Sequence, residues 1–421
     1  MKKLIICFLI LPAFLFSQNI HKKVSALFLG NSYTYVNNLP LLIYSIALAN
    51  GDTLVYDGNL IGGYTFNNHF VNTTSISKIN AFQWDFVVLQ AQSQEPAFPP
   101  SQVNGQTLPY ALKLDSVVKQ NNSCSNAVFY ETWGRKNGDA QNCAFYPPLC
   151  TYAGMQNRLR QSYKKFADTT GGIMAPAGEA FKRSIFLDPS LELYDADQSH
   201  PSMNGSYLVA CVFYEVLFQK SVLTNTYNPG IQAGNLSFLQ QVAHTTVFDS
   251  LLVWNLGINL PWADFSFSQL GPAAFQFQSL SANFSDQWYF GDGTSSVISS
   301  PTHSYLNPGT YTVSHVVKDA CSRDSSSKII SVLSTGLNQH LSPGPYFTVF
   351  PNPCGNTIYI SGAESFINNS STVVIRNSLG QLLYVSGFRD QIEIDLLPDG
   401  LYVIEISDKV SRAFARFVKA Q

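Results

Sequence analysis

Charge is what this sequence has least of: acidic and basic residues together make up 12% of it, and 25 Lys and Arg nearly cancel 27 Asp and Glu, leaving a formal net charge of -2. A chain so nearly neutral makes no long-range field to gather nucleic acid or an anionic membrane surface, so those partners are not expected. Cysteine spacing is equally unhelpful to metal or redox chemistry, for none of the intervals matches a zinc ribbon or a CxxC pair, and neither a metal nor a cofactor is expected. Beyond residue 20 there is no apolar run of membrane-spanning length, so no transmembrane segment is expected in the mature chain.

Hydrophobic residues are abundant at 45%, and aromatics reach 13%. That supply can fill several cores, and 421 residues exceed a usual single domain of roughly 100–200. The chain opens Met1-Lys2-Lys3, continues with an apolar run over 4–16 and closes on Ser17-Gln18-Asn19, the pattern of an export signal over 1–18. Cys7 leaves with that signal, and the six remaining cysteines meet an oxidising route. Cys143 and Cys150 bracket a short Pro-containing loop and form the preferred bridge, whereas Cys211 lies in an apolar helical pattern and reads as a core residue.

Over 24–257 short apolar runs alternate with helical stretches, the signature of a parallel sheet covered by helices on both faces. Strands are expected at 25–29, 53–56, 86–90, 127–131 and 173–175, and helices at 39–49, 108–119, 152–167 and 203–218. Such crossovers bring every strand's carboxyl end to one edge, where loops carry chemistry. After about residue 263 the texture becomes β-rich. Trp288-Tyr289-Phe290-Gly291-Asp292-Gly293-Thr294 and Pro308-Gly309-Thr310-Tyr311 supply strands and tight turns over 264–333. Asp292 and His303 suggest turn capping and strand-edge packing rather than metal ligation. A polar stretch over 335–345 leads to a third, β-rich segment over 346–421 with Pro351-Asn352-Pro353 and Leu397-Pro398-Asp399-Gly400-Leu401-Tyr402.

At the first strand's end stands Gly30-Asn31-Ser32, a serine on a turn with a helix N-terminus close by to offer free N–H groups. Far downstream, Asp197-Gln198-Ser199-His200 precedes a helix. An Asp three residues before a His can fold back to accept from Nδ1–H, leaving Nε2 for a serine proton. Asp195 has the wrong spacing. Trp133 and Arg135, after the fourth strand, are candidate substrate contacts at the same edge, and Glu179 stands nearby.

These residues resemble the SGNH (GDSL-like) hydrolase superfamily, a flavodoxin-like α/β fold, over about 24–250, in a branch where Gly-Asn-Ser replaces Gly-Asp-Ser. The resemblance implies a serine ester hydrolase with Ser32 as nucleophile and Asp197 and His200 completing a triad. It also implies an oxyanion hole from the N–H groups of Ser32 and Gly63, with Gln92 where most members have Asn, or alternatively Gln90. Segment 264–333 resembles a polycystic-kidney-disease-like (PKD) sandwich, and 346–421 resembles the sorting domain read by the type IX secretion machinery of Bacteroidetes. Together they imply an exported or surface enzyme acting on esters, such as an acetylated polysaccharide. A glycan-binding adhesin, and a lipase or thioesterase, are the alternatives.

Overall fold

A computed structural model of the chain describes residues 21–333, 347–362, 371–377, 380–408 and 412–420. The expected export signal over 1–18 and the polar stretch over 335–345 lie outside the described residues. The chain divides into two compact units, one ending at Leu333 and one starting at Ser334.

The first unit begins with strand β1 (Lys23–Gly30), followed by a four-residue helix α1 (Ser32–Tyr35) and helix α2 (Leu39–Ala49). Then come β2 (Thr53–Leu60), α3 (Phe66–Val71), α4 (Thr73–Asn80) and β3 (Phe86–Leu89). Helix α5 (Leu108–Asn121), β4 (Asn126–Tyr130), α6 (Tyr152–Thr170) and β5 (Ile173–Ala175) complete the sheet. Helices α7 (Ala177–Leu187), α8 (Met203–Phe218) and α9 (Ala233–Phe248) follow. The five strands pair in parallel in the order β2-β1-β3-β4-β5, the flavodoxin-like order anticipated from the sequence.

Reversal of strand order at β1 sends the helix before β2 to one face of the sheet and those before β3, β4 and β5 to the other. The helices pack accordingly: α2 against α8 and α8 against α9 on one side, and α3, α4 and α6 against α5 on the other. Central β1 is buried from Val24 onward, which is why it reads as a continuous apolar run rather than an alternation. Helix α8 is buried from Gly205 to Phe218 between its neighbours, so it carries almost no polar face. Its N-terminus, where Ser202 Oγ accepts from Gly205 N at 3.3 Å, is reached directly from the His200 segment.

A second core within the same unit lies in a sandwich built from β6 (Phe265–Gln269), β7 (Ala274–Ser279), β8 (Ser285–Tyr289) and β9 (Ser295–Ser296). Strands β10 (Thr302–Ser304), β11 (Gly309–Lys318) and β12 (Arg323–Val332) complete it, in sheets ordered β10-β7-β6 and β12-β11-β8-β9. Trp288 is wholly buried there and stacks on His315, with ring centroids 3.8 Å apart. Asp292 accepts from Thr294 N at 3.0 Å and pairs with His303 at 2.7 Å, while His303 stacks on Phe290. Both residues thus serve the turn and the strand edge.

The two cores of this unit are tied together. Asp324 on β12 accepts from Ala263 N at 2.8 Å and from Lys22 Nζ at 2.6 Å. Cys124, just before β4, is disulfide-bonded to Cys321 across 197 residues of sequence, and Cys143 is bonded to Cys150 as expected. Cys211 is a buried free thiol, its expected role in the core. The second unit is also antiparallel β. One sheet joins Thr348–Phe350, Thr357–Ser361 and Gln391–Glu393, the other Thr372–Asn377, Leu382–Gly387, Gly400–Ser407 and Arg412–Lys419, around buried residues such as Ile358, Ile375 and Phe417.

Closing a loop of this length removes conformational freedom from the unfolded chain, so replacing Cys124 and Cys321 together by Ser should cost the first unit about 2–5 kcal/mol. Calorimetry under non-reducing conditions checks this, and an unchanged transition would refute it.

Candidate active site

Ser32 opens α1 directly beyond the carboxyl end of β1, and its position is set by side chains rather than by the helix, which is a single turn. The buried Gln90 carboxamide, one residue past β3, accepts from Asn31 N at 2.8 Å and from Thr34 Oγ1 at 2.9 Å, and donates to Asn31 Oδ1 at 2.8 Å. Asn31 in turn donates through Nδ2 to Tyr64 O at 3.0 Å and Ala91 O at 3.3 Å. A Cβ at position 30 would sit 2.4 Å from Thr34 Oγ1 and 2.9 Å from Gln90 Oε1, so only glycine lets this bracket close.

His69 was not singled out by sequence. It is fully buried, with Nδ1 2.9 Å from Ser75 Oγ and Nε2 3.1 Å from the Gly30 carbonyl. The Gly30 carbonyl also accepts from Ile61 N at 3.2 Å. Burial lowers the His69 pKa to about 4, against a smaller opposing pull from the Gly30 carbonyl, so the ring is neutral and fixes the residue two before Ser32. Its only sequence signal is a His inside a short helix whose Thr65 cap gives no hint of the partner.

His200 Nε2 lies 2.8 Å from Ser32 Oγ, and His200 Nδ1 makes a short hydrogen bond to Asp197 Oδ2. Asp197 Oδ1 accepts from the backbone N–H of Ser199 at 3.0 Å and of His200 at 2.9 Å, the fold-back that the three-residue spacing allows. Burial pushes the Asp197 carboxyl up, but the hydrogen bonds from the His200 ring and from these two N–H groups outweigh it and hold the carboxyl below its ordinary range. Gln198 takes φ of 60° to make the turn. Asp195, set aside on spacing, instead bonds the backbone N–H of Ala196.

Aromatic packing carries the histidine segment. Tyr33 stacks on Trp133 at 5.0 Å, Trp133 stacks on Phe181 at 4.0 Å, and Tyr33 meets the His200 ring edge-on at 5.3 Å. Trp133 Nε1 donates to Ser199 O at 3.0 Å, and the Tyr33 hydroxyl shares a 2.6 Å hydrogen bond with Ser199 Oγ. Trp133, expected to touch substrate, is wholly buried in this stack, so its ring supports the histidine segment instead. Arg135 does face the site: a cavity of about 180 Å³ is lined by Ser32, Gly63, Gln92, Arg135 and His200 among others. Glu179 pairs with Arg160 and Lys182 and takes no part in that lining.

Gly63 has φ of +72° with open space where a Cβ would be. The N–H groups of Ser32, first residue of its helix, and of Gly63 donate to no protein acceptor among the described residues. Gln92 Nε2 donates to Gln94 Oε1 at 2.9 Å, and Gln92 Oε1 accepts from Gln94 N at 2.7 Å, which fixes the amide and leaves it one further hydrogen. Gln90 has no such freedom, since its amide hydrogens go to Asn31 Oδ1 and Ala91 O.

Residues 265–332 match the family model for the PKD domain, and 348–420 match that for the secretion system C-terminal sorting domain. The latter marks the chain for type IX secretion to the cell surface or the extracellular space. No helix among the described residues is long and apolar enough to cross a membrane. Over its amino-terminal part the chain is similar to several solved structures. One is a DUF4886 family protein from Bacteroides uniformis, 19% identical, covering 54% of this chain and 95% of that one with a TM-score of 0.47. Another is a candidate SGNH hydrolase from Slackia heliotrinireducens, 25% identical, covering 46% and 98% with a TM-score of 0.38. A third is a catalytic mutant of an acetylxylan esterase from Geobacillus stearothermophilus, 18% identical, covering 48% and 98% with a TM-score of 0.34. No curated protein matches the chain.

The His69 shift fixes the sign of a pH effect. Between its usual 6.5 and about 4 the unfolded chain binds a proton that the folded chain refuses. Its contribution is therefore fully present above about pH 6.5 and is lost as pH falls through 4. Wild type should lose about 3 kcal/mol more than His69→Gln between pH 7 and pH 4 in urea unfolding, and parallel pH curves would contradict the assignment.

Proposed function

We propose that this chain is an exported serine ester hydrolase of SGNH type, cleaving acetyl or other short acyl esters of carbohydrate through an acyl-enzyme. The observation that carries the reading is the unbroken hydrogen-bonded line from the Asp197 carboxylate through the His200 ring to the Ser32 hydroxyl.

His200 Nε2 takes the proton as Ser32 Oγ attacks the ester carbonyl carbon. Asp197 holds the Nδ1–H tautomer and balances the imidazolium that forms. Negative charge on the carbonyl oxygen meets the N–H groups of Ser32 and Gly63 and the remaining amide hydrogen of Gln92. Collapse of this tetrahedral species breaks the bond to the alcohol oxygen, which leaves with the proton from His200 Nε2. Water, deprotonated by the same nitrogen, then releases the acid and restores Ser32.

The acyl group is read as short because the cavity is small and its lining includes no aliphatic side chain, so a long chain finds no apolar surface to bury against. This weighs against the lipase alternative. The PKD and sorting segments are consistent with work on an extracellular polymer.

Ser32→Ala and His200→Ala should each lower turnover of a short aryl ester on the order of 10⁴-fold. Rates equal to wild type for Ser32→Ala would favour a binding protein. Gln92→Ala should cost roughly tenfold to a hundredfold in kcat with KM little changed, because one oxyanion donor of three is removed. Across a series of acyl chains, kcat/KM should peak at acetyl or propionyl. A peak at eight carbons or more would sink the short-acyl reading.

A further inference from the structure

The active-site cavity contains one permanent charge among its lining residues, and nothing in the proposed acyl transfer uses it. Arg135 lies on the loop after β4 with its side chain 27% exposed. One nitrogen, Nη1, is 3.3 Å from Asp139 Oδ1, and the buried Nε has no hydrogen-bond partner among the described residues. A guanidinium has five donor hydrogens arranged as a fork, so the Asp139 contact and the approach to the Tyr33 hydroxyl leave part of its capacity unspent.

Asp139 is a poor candidate for the sole purpose of that cation. Its fully buried carboxylate already accepts from Gln94 Nε2 at 2.8 Å and Asn142 Nδ2 at 2.6 Å. Its backbone N–H is bonded to Leu149 O at 2.7 Å, inside the loop closed by the Cys143–Cys150 disulfide. Asp139 is thus the anchor of a built loop, and Arg135 is aimed from that anchor into the cavity. The chain of bonds Arg135, Asp139, Gln94, Gln92 also connects the guanidinium to another residue that lines the same cavity.

The loop identifies the part of the substrate that the charge meets. Lys136 N donates to Gln198 O at 3.0 Å, and Trp133 Nε1 donates to Ser199 O, so Arg135 is flanked on both sides by contacts to the histidine segment. The departing alcohol must lie at His200 Nε2 to collect its proton, and Arg135 lines the same small cavity as His200. We propose that Arg135 recognises a carboxylate on that alcohol, making the substrate an O-acylated acidic sugar of the uronate type. The inference rests on the esterase reading for its chemistry and on the loop geometry for its position.

The test compares mono-O-acetylated methyl glucuronoside with the matching neutral methyl glucoside. Wild type should favour the acidic ester by roughly tenfold or more in kcat/KM, as expected for a charge-assisted forked contact. Arg135→Gln should erase the preference through KM on the acidic ester, and Arg135→Lys should restore part of it. Equal losses on both esters in Arg135→Gln would overturn the proposal by making the arginine a loop anchor only, as would a wild type indifferent to the carboxylate. Calorimetric binding of the two esters to Ser32→Ala gives a readout that needs no turnover. Selective binding of the acidic ester that disappears in Ser32→Ala/Arg135→Gln supports the arginine even if wild type proves not to hydrolyse it, which would defeat the esterase reading alone. Equal binding of both esters defeats the arginine whatever the rates.

Discussion

The Gln90 carboxamide sits at the carboxyl end of the central strands and spends both its oxygen and its nitrogen on the turn that carries Ser32. In a site without solvent each of those groups would be costly if left unpaired, so the turn has one well-determined shape. Asn31 is the matching half. Its nitrogen donates to two carbonyls while its oxygen accepts from Tyr33 N and Gln90 Nε2, a combination that a carboxylate could not provide. Asn31 and Gln90 are therefore one coupled arrangement.

Around this bracket the molecule builds a second, softer constraint. The histidine turn is exposed on its outer side, with the Asp197 side chain 49% accessible, and it is steadied from within by the Tyr33, Trp133 and Phe181 stack. Asn37 adds a bond to Pro201 O at 3.1 Å. Ser32 and His200 are thus registered to each other through Tyr33, which follows the one and packs edge-on against the other.

The sheet was readable because its central strands are apolar on both faces and alternate with helices, whereas its flavodoxin-like strand order was implied by the resemblance alone. Strand end, spacing and helix start made it legible that Ser32, Asp197 and His200 could approach one another, as they do, while their proposed roles come from the resemblance. Less was legible where the partner comes from afar. His69 has meaning only beside the Gly30 carbonyl, and Trp133 looked like a rim residue until Phe181 covered it. Helix α7, opened by Pro176-Ala177-Gly178, went unread although its apolar residues fall on one face, and α9 went unread because its periodicity is weak. That the Gln90 amide is spent on Asn31 and Ala91 while Gln92 keeps one further hydrogen is visible only in the hydrogen-bond count, which spacing alone cannot supply.

Cys124 lies just before β4 of the parallel sheet and Cys321 between β11 and β12 of the sandwich, and the peptide that joins the two cores runs between them. The parallel-sheet part and the sandwich are consequently connected twice, once by peptide and once by sulfur. A break in the peptide between the two parts would leave them joined by sulfur, and the Asp324 bonds to Ala263 and Lys22 hold them together as well.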